Sequence, residues 1–194
     1  MAPVVRLAAV AAVLAATACS GTPVSGPGPL PTTTITTSPT TPATPPPPAP
    51  PPRAATVVYV SDGDTIGVRV RGGDAVRPVR LLGIDTPETK DPGAVVQCGG
   101  RQASRALTKL LPRGSAVRLV RDPTQDPVDT YDRLLRYVEV GSRDVGRLLV
   151  ARGLARVYVY DRPAFSRYPD YEQLEKAARN HLRASWRRCP TFGY

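Results

Sequence analysis

From residue 56 onward, apolar and polar positions alternate in short bursts separated by glycine, proline and aspartate. Residues 56–60 are β-branched and aromatic, and residues 65–70 alternate apolar side chains with others, so both read as strands. Arg71-Gly72-Gly73-Asp74 is a turn, and residues 76–84 read as the third strand. Pro78 within that run predicts an edge position or a bulge, because it cannot donate a ladder hydrogen bond. The period then changes to that of a helix over residues 97–111, with Ala103, Ala106, Leu107, Leu110 and Leu111 at core spacing. Residues 115–121 and 134–140 are two further strands. Val145, Leu148 and Leu149 mark a short helix closed by Gly153. A last helix is predicted over residues 170–184, with Tyr171, Leu174, Ala178 and Leu182 on one face and Trp186 just beyond. Five short strands with interspersed helices predict an α+β domain on a five-stranded barrel. OB-fold barrels are the usual home of that strand count in nucleic-acid binders.

The first 53 residues follow different rules. Residues 1–6 carry one positive charge, and residues 7–18 form an apolar run ending in small side chains before Cys19. Roughly 20 apolar residues are needed to span a bilayer, so this shorter run reads as a secretory signal peptide over residues 1–19. Ala16-Thr17-Ala18-Cys19 resembles a bacterial lipobox, with Ala16 where such boxes usually carry Leu. That resemblance implies lipidation of Cys19 and a membrane anchor; plain cleavage near Ala18 and secretion is the alternative. Residues 20–53 are dominated by Pro, Thr, Ser and Gly, with no charge before Arg53, and offer too little to bury to offset the entropy of ordering. They read as a disordered, semi-rigid linker, which leaves residues 54–194 as the folded domain.

The charge changes the picture of that domain. Of a net +10, only Arg6 lies before Arg53, so a small domain carries almost all of it. That points to an anionic partner such as nucleic acid. Cys98 and Cys189 remain once Cys19 is set aside. In an exported chain such a pair is expected to form a disulfide. Two cysteines and the single His181 give no ligand spacing for a zinc site.

Asp64 opens the second predicted strand and Asp85 closes the third, so the hairpin is expected to place them at mirror positions. Glu88 follows in a turn begun by Pro87. Carboxylates packed this closely repel one another unless they protonate or bind a cation, and hard oxygen ligands suit Ca²⁺ or Mg²⁺. Read singly, these acids are ordinary turn residues. Arg80, however, lies inside an apolar strand, where a charge needs a partner, and Arg133 starts the fifth strand. A cation flanked by guanidiniums neutralises charge gathering on a phosphate under attack.

Asp62-Gly63-Asp64-Thr65, the run from Arg80 to Thr89, Asp129-Thr130-Tyr131-Asp132-Arg133, and the run from Gly153 to Tyr160 together resemble staphylococcal-type thermonucleases. The resemblance covers the domain and none of the linker. It implies an OB-fold barrel with about three helices. It also implies Ca²⁺ held by the side chains of Asp64 and Asp85 and the carbonyl of Thr86, with Asp62 just beyond. Glu88 would activate water, and Arg80 and Arg133 would grip the phosphate, leaving 3′-phosphate ends. Tyr131, Tyr158 and Tyr160 would line the nucleotide pocket. Thr130 stands where founding members carry Lys, Asp132 replaces Gly, and one fewer residue separates Gly153 from the tyrosines. The stretch from Arg121 to Val128 is an acidic loop that alters access on this reading. Plain alternation puts Arg80 and Asp85 on opposite faces, which a bulge at Gly83 would correct.

The expectation is a Ca²⁺-dependent, exported or surface-anchored nuclease acting as a monomer on DNA and also on RNA, with no membrane contact except the Cys19 lipid. The alternative is a catalytically weak nucleic-acid-binding or uptake module on the same fold. Such a module has no need for Asp64, Asp85, Glu88, Arg80 and Arg133 together.

Overall fold

A computed structural model describes residues 51–89, 95–160 and 164–192. The signal, Cys19 and nearly all of the linker lie outside those residues. Twelve elements follow in chain order: β1 (Arg53–Val60), β2 (Thr65–Val70), β3 (Val76–Leu81), β4 (Ile84–Asp85), α1 (Gly100–Leu110), β5 (Ala116–Val120), β6 (Leu134–Val140), β7 (Arg143–Asp144), α2 (Val145–Ala151), β8 (Arg156–Val157), α3 (Tyr168–Asn180) and α4 (Ser185–Arg188).

The sheet runs β3-β2-β1-β5-β6-β7, and a parallel pairing of β3 with β6 joins its ends. The five long strands thus close into the expected OB-fold barrel, which removes the exposed edges of an open sheet. Pro78 faces Gly67 on β2, while β6 pairs only with Val79–Leu81. Its missing N–H therefore costs no ladder bond, and the predicted edge position holds for that half of β3. Alternation sends Val57, Ile66, Val68, Val79, Leu81, Leu119 and Val138 into the barrel, each at most 2% exposed. The core extends to Leu107 and Leu111 of the α1 segment and to Leu149 and Tyr171 of α2 and α3.

Three boundaries depart from the pattern. The third strand stops at Leu81, and Ile84–Asp85 leaves to pair with β8. The α1 helix begins at Gly100, because Gly99 adopts φ +88 and ends the preceding turn. The α3 helix stops at Asn180, since Leu182 and Ala184 take positive φ (48 and 41). Leu182 is consequently 57% exposed instead of core-facing. Trp186 lies in α4, its ring tilted against that of Phe192 with centroids 4.5 Å apart. Cys98 and Cys189 are bonded, with Cα atoms 5.7 Å apart, and the bond fastens this C-terminal turn to the segment before α1.

Candidate active site

Asp64 closes the turn into β2, where Ser61 and Asp62 N–H groups donate to the Thr65 carbonyl. The β2–β3 register sets Thr65 opposite Arg80 and lets the Leu81 N–H donate to Asp64 O at 2.8 Å. The mirror partner of Asp64 is therefore Leu81, not Asp85, and simple hairpin symmetry does not unite the two acids. A turn does. Gly83 has φ +79, and a Cβ there would lie 2.5 Å from the Phe165 ring, so only glycine reverses the chain at this point.

The reversal returns β4 to the Arg80 side chain. Arg80 Nη1 donates to Ile84 O at 2.7 Å and Nη2 to Asp85 Oδ1 at 2.9 Å, while Nε lies 3.2 Å from Asp64 Oδ1. One largely buried guanidinium thus bridges both carboxylates. The opposite-face difficulty is resolved by a complete turn between two strands, where a bulge in one strand was expected.

Thr86 completes this corner. Its N–H and hydroxyl both donate to Asp64 Oδ2 at 2.9 Å. Gly63 permits the approach, since a Cβ there would come within 2.5 Å of Thr86 Oγ1. Glu88 is held through its backbone: its N–H donates to Gln97 Oε1 at 2.7 Å, and Gln97 N–H donates to Glu88 O at 3.0 Å. The Glu88 carboxylate accepts from Thr89 N–H at 2.6 Å. Gly100 packs against this loop so closely that a Cβ would meet Pro87 O at 2.8 Å.

The acids feel one another. Burial, then the neighbouring charges of Asp64 and Glu88, push the Asp62 carboxyl up to about 6, against one lowering backbone hydrogen bond with Asp64. Burial also raises Asp85, partly offset by Arg80 and Arg156. Among the described residues no three acidic, histidine or cysteine side chains converge as a ready-made metal cage. The donors are nevertheless of the right kind for a hard divalent cation: two carboxylates held on one guanidinium, a carbonyl-bearing loop bonded to one of them, and crowded negative charge.

The remaining predicted residues lie on adjoining loops. Asp129 accepts from the N–H groups of Tyr131 and Arg133 and from Arg133 Nε at 2.6 Å, so Arg133 pairs with Asp129. The guanidinium of Arg133 lies 5.2 Å from the Tyr131 ring centre, and Tyr131 is 78% exposed. Asp132, at φ 57, pairs with Arg77 at 3.2 Å. Tyr158 N–H donates to Gly83 O at 3.1 Å, which ties the second tyrosine loop to the decisive turn, and Tyr160 is exposed. His181 is an exposed surface residue, as its polar surroundings predict.

Sequence reasoning missed Arg156, which grips Asp85 Oδ2 through Nε (3.2 Å) and Nη2 (3.1 Å). Its signal was the one that exposed Arg80, a charge within an apolar run. Gln97 and Asp129 offered no comparable signal. Within the loop from Arg121 to Val128, Asp122 does not face solvent. It is 2% exposed and accepts from Tyr137, Thr124 and Ser166, so it braces the fold and does not shape access.

The family profile described as staphylococcal nuclease homologue matches residues 78–188, which hold the turn, the bridging arginine and both loops. The chain belongs to the staphylococcal nuclease family. It is 37% identical to a thermonuclease of Staphylococcus hyicus over 130 residues, 67% of this chain and 73% of that protein. With a thermonuclease of Staphylococcus intermedius it shares 39% over 133 residues, 68% of this chain and 75% of the relative. The SPbeta prophage-derived endonuclease YokF of Bacillus subtilis is 40% identical over 126 residues, 64% of this chain, which spans only 41% of YokF. The matched region is thus a nuclease domain of the phosphodiester-hydrolysing kind.

Proposed function

We propose that the protein is a Ca²⁺-dependent nuclease that hydrolyses DNA, and RNA as well, to 3′-phosphate ends outside the cytoplasm. The observation that carries the reading is the Asp64–Arg80–Asp85 bridge with the Glu88 loop fastened beside it. The side chains of Asp64 and Asp85 and the carbonyl of Thr86 would hold the metal. When bound, Ca²⁺ supplies positive charge that favours electron density on the phosphate oxygens.

The residues divide the remaining work. Glu88 accepts a proton from the attacking water as the new phosphorus–oxygen bond forms. Arg80 and Arg133 donate to the non-bridging oxygens, whose charge grows in the transition state. The bond from phosphorus to the 5′ oxygen breaks, and a proton returns to that oxygen. Tyr131, Tyr158 and Tyr160 present exposed rings for stacking, which tolerates any base.

Export is part of the same proposal, with residues 1–19 as a signal and Cys19 as lipid anchor. The Cys98–Cys189 bond supports it, because disulfides persist in oxidising compartments. The domain acts as a monomer on this reading. A second reading, a weakly catalytic binding module, draws on Asp85 being engaged by two arginines. Plasmid digestion separates them. Cutting with Ca²⁺ that stops on chelation and in Glu88→Ala supports the nuclease; cutting that survives either change excludes the mechanism.

A further inference from the structure

The inward face of a barrel is normally apolar along its whole length, and here it is not. On β1, Ala55 and Val57 point inward, and Arg53 shares their face. On β3, Val79 and Leu81 point inward, and Arg77 shares theirs. Leu134, Arg136 and Val138 share the inward face of β6. Just past β5, Arg121 continues the row of Val117 and Leu119. Four strands thus bring an arginine to the same mouth of the barrel. Asp64 lies at the opposite end of β2, while Val70 belongs to this one.

Arg53, Arg77 and Arg136 line a cavity of about 260 Å³ there, over a floor formed by Val70, Leu119 and Leu134. Negative charge is scarce around it. Asp132 pairs with Arg77, and Asp74 also lines the cavity, its carbonyl accepting from Arg69. Arg136 donates to the carbonyls of Pro127 and Leu135, and Arg121 Nε is buried with no hydrogen-bond partner among the described residues. Burial and the like charges of Arg121, Arg53 and Arg77 hold the Arg136 pKa below its ordinary value. Converging guanidiniums over an apolar floor, with donors to spare, are the chemistry of a phosphate site.

We propose that this arginine-lined mouth of the barrel is a second phosphate site, which grips the backbone of a nucleic-acid strand away from the reacting phosphodiester. The inference rests on the nuclease reading. A nucleic-acid strand is favoured over a lipid surface because Arg77 contacts Asp132, next in sequence to Arg133, and the exposed Tyr131 ring stands beside it. A basic track interleaved with an aromatic ring suits single-stranded substrate. The site lengthens the grip on the polymer and adds nothing to the bond-breaking step.

The test compares the full chain with its R53Q/R121Q/R136Q variant, in chelator so that nothing is cut. Fluorescence anisotropy reads the affinity of a labelled 20-nucleotide single strand and of a dinucleotide at several salt concentrations. The advantage of the long strand over the short one is expected to fall about tenfold. The slope of log affinity against log salt should fall by about 2, given ~0.7 per neutralised phosphate on single strands. Thermal unfolding checks that the variant is folded, and R53Q alone, at the exposed strand end, should show a smaller loss of the same kind. A parent that cuts DNA, with a folded variant keeping its long-strand advantage and salt slope, overturns the inference alone. A parent that neither binds nor cuts overturns the nuclease reading with it. Loss of binding to phosphatidylglycerol vesicles with unchanged oligonucleotide affinity assigns the mouth to lipid and overturns the proposal.

Discussion

Arg80 reaches Asp85, five residues along the same chain, with Nη2 2.9 Å from Oδ1. Only the turn at Gly83 makes that contact geometrically available. A side chain at φ +79 costs about 1–2 kcal/mol, and its Cβ would collide with Phe165. Gly83→Ala is therefore expected to lower stability by about 2–3 kcal/mol in urea unfolding. Its nuclease activity should fall at least tenfold, because Asp85 no longer meets Arg80. Parental stability and turnover in this variant would remove the turn from the account of the site.

That relationship marks where sequence stops being informative. Alternation places Val57, Val68, Val79 and Leu119 inward without knowledge of the fold, and the observed strands follow it. Closure of the barrel rests on a parallel pairing between strands far apart in sequence, which no local period encodes. Arg80 and Arg156 are both visible as charges in apolar runs, but their shared partner Asp85 appears only once the Gly83 turn brings it to Arg80 and the β4–β8 pairing brings it to Arg156. Asp122 looks like any loop acid until Tyr137 and Ser166 arrive from distant elements. Periodicity reports burial; it does not report which polar groups meet.

Gln97 is a positioning residue for Glu88, since it binds both the N–H and the carbonyl of that residue. Gln97→Ala should lower kcat about tenfold with little change in KM, and cost about 1 kcal/mol of stability. Gln97→Glu keeps the acceptor and should restore most of kcat. If both variants behave alike, the side-chain hydrogen bond does not position Glu88.

The Cys98–Cys189 bond closes a loop across 91 positions. On the chain-entropy account such a crosslink stabilises by about 4–5 kcal/mol. Reduction, or the C98S/C189S double variant, should lower unfolding stability by several kcal/mol. The C-terminal turn should loosen first, because it packs directly over Gly153, with Ser185 N–H donating to Gly153 O at 3.1 Å. Thiol labelling of the unreduced protein should find neither cysteine reactive. Equal stability of oxidised and reduced protein would mean that packing alone docks this end.

Acid should reveal Asp122. Burial works to raise its carboxyl, yet hydrogen bonds from Tyr137, Thr124 and Ser166 win and hold it below the ordinary value. A folded pKa below the unfolded one means that the carboxylate stabilises the fold fully above the unfolded value. That contribution is lost as pH falls from about 4 toward the depressed folded value. Glu139 and Asp129 are lowered too, Glu139 by Arg167 and Arg118 and Asp129 by Arg133 and Tyr131, against burial in each case. Stability measured from pH 6 down to pH 2 should therefore drop steeply below about pH 4. Asp122→Asn keeps some of the shape but loses the charge-assisted bonds, at a cost of about 3 kcal/mol near neutrality. Its acid limb should be shallower than the parent's by the share Asp122 carried, and an unchanged limb would show that Asp122 titrates alike in folded and unfolded protein.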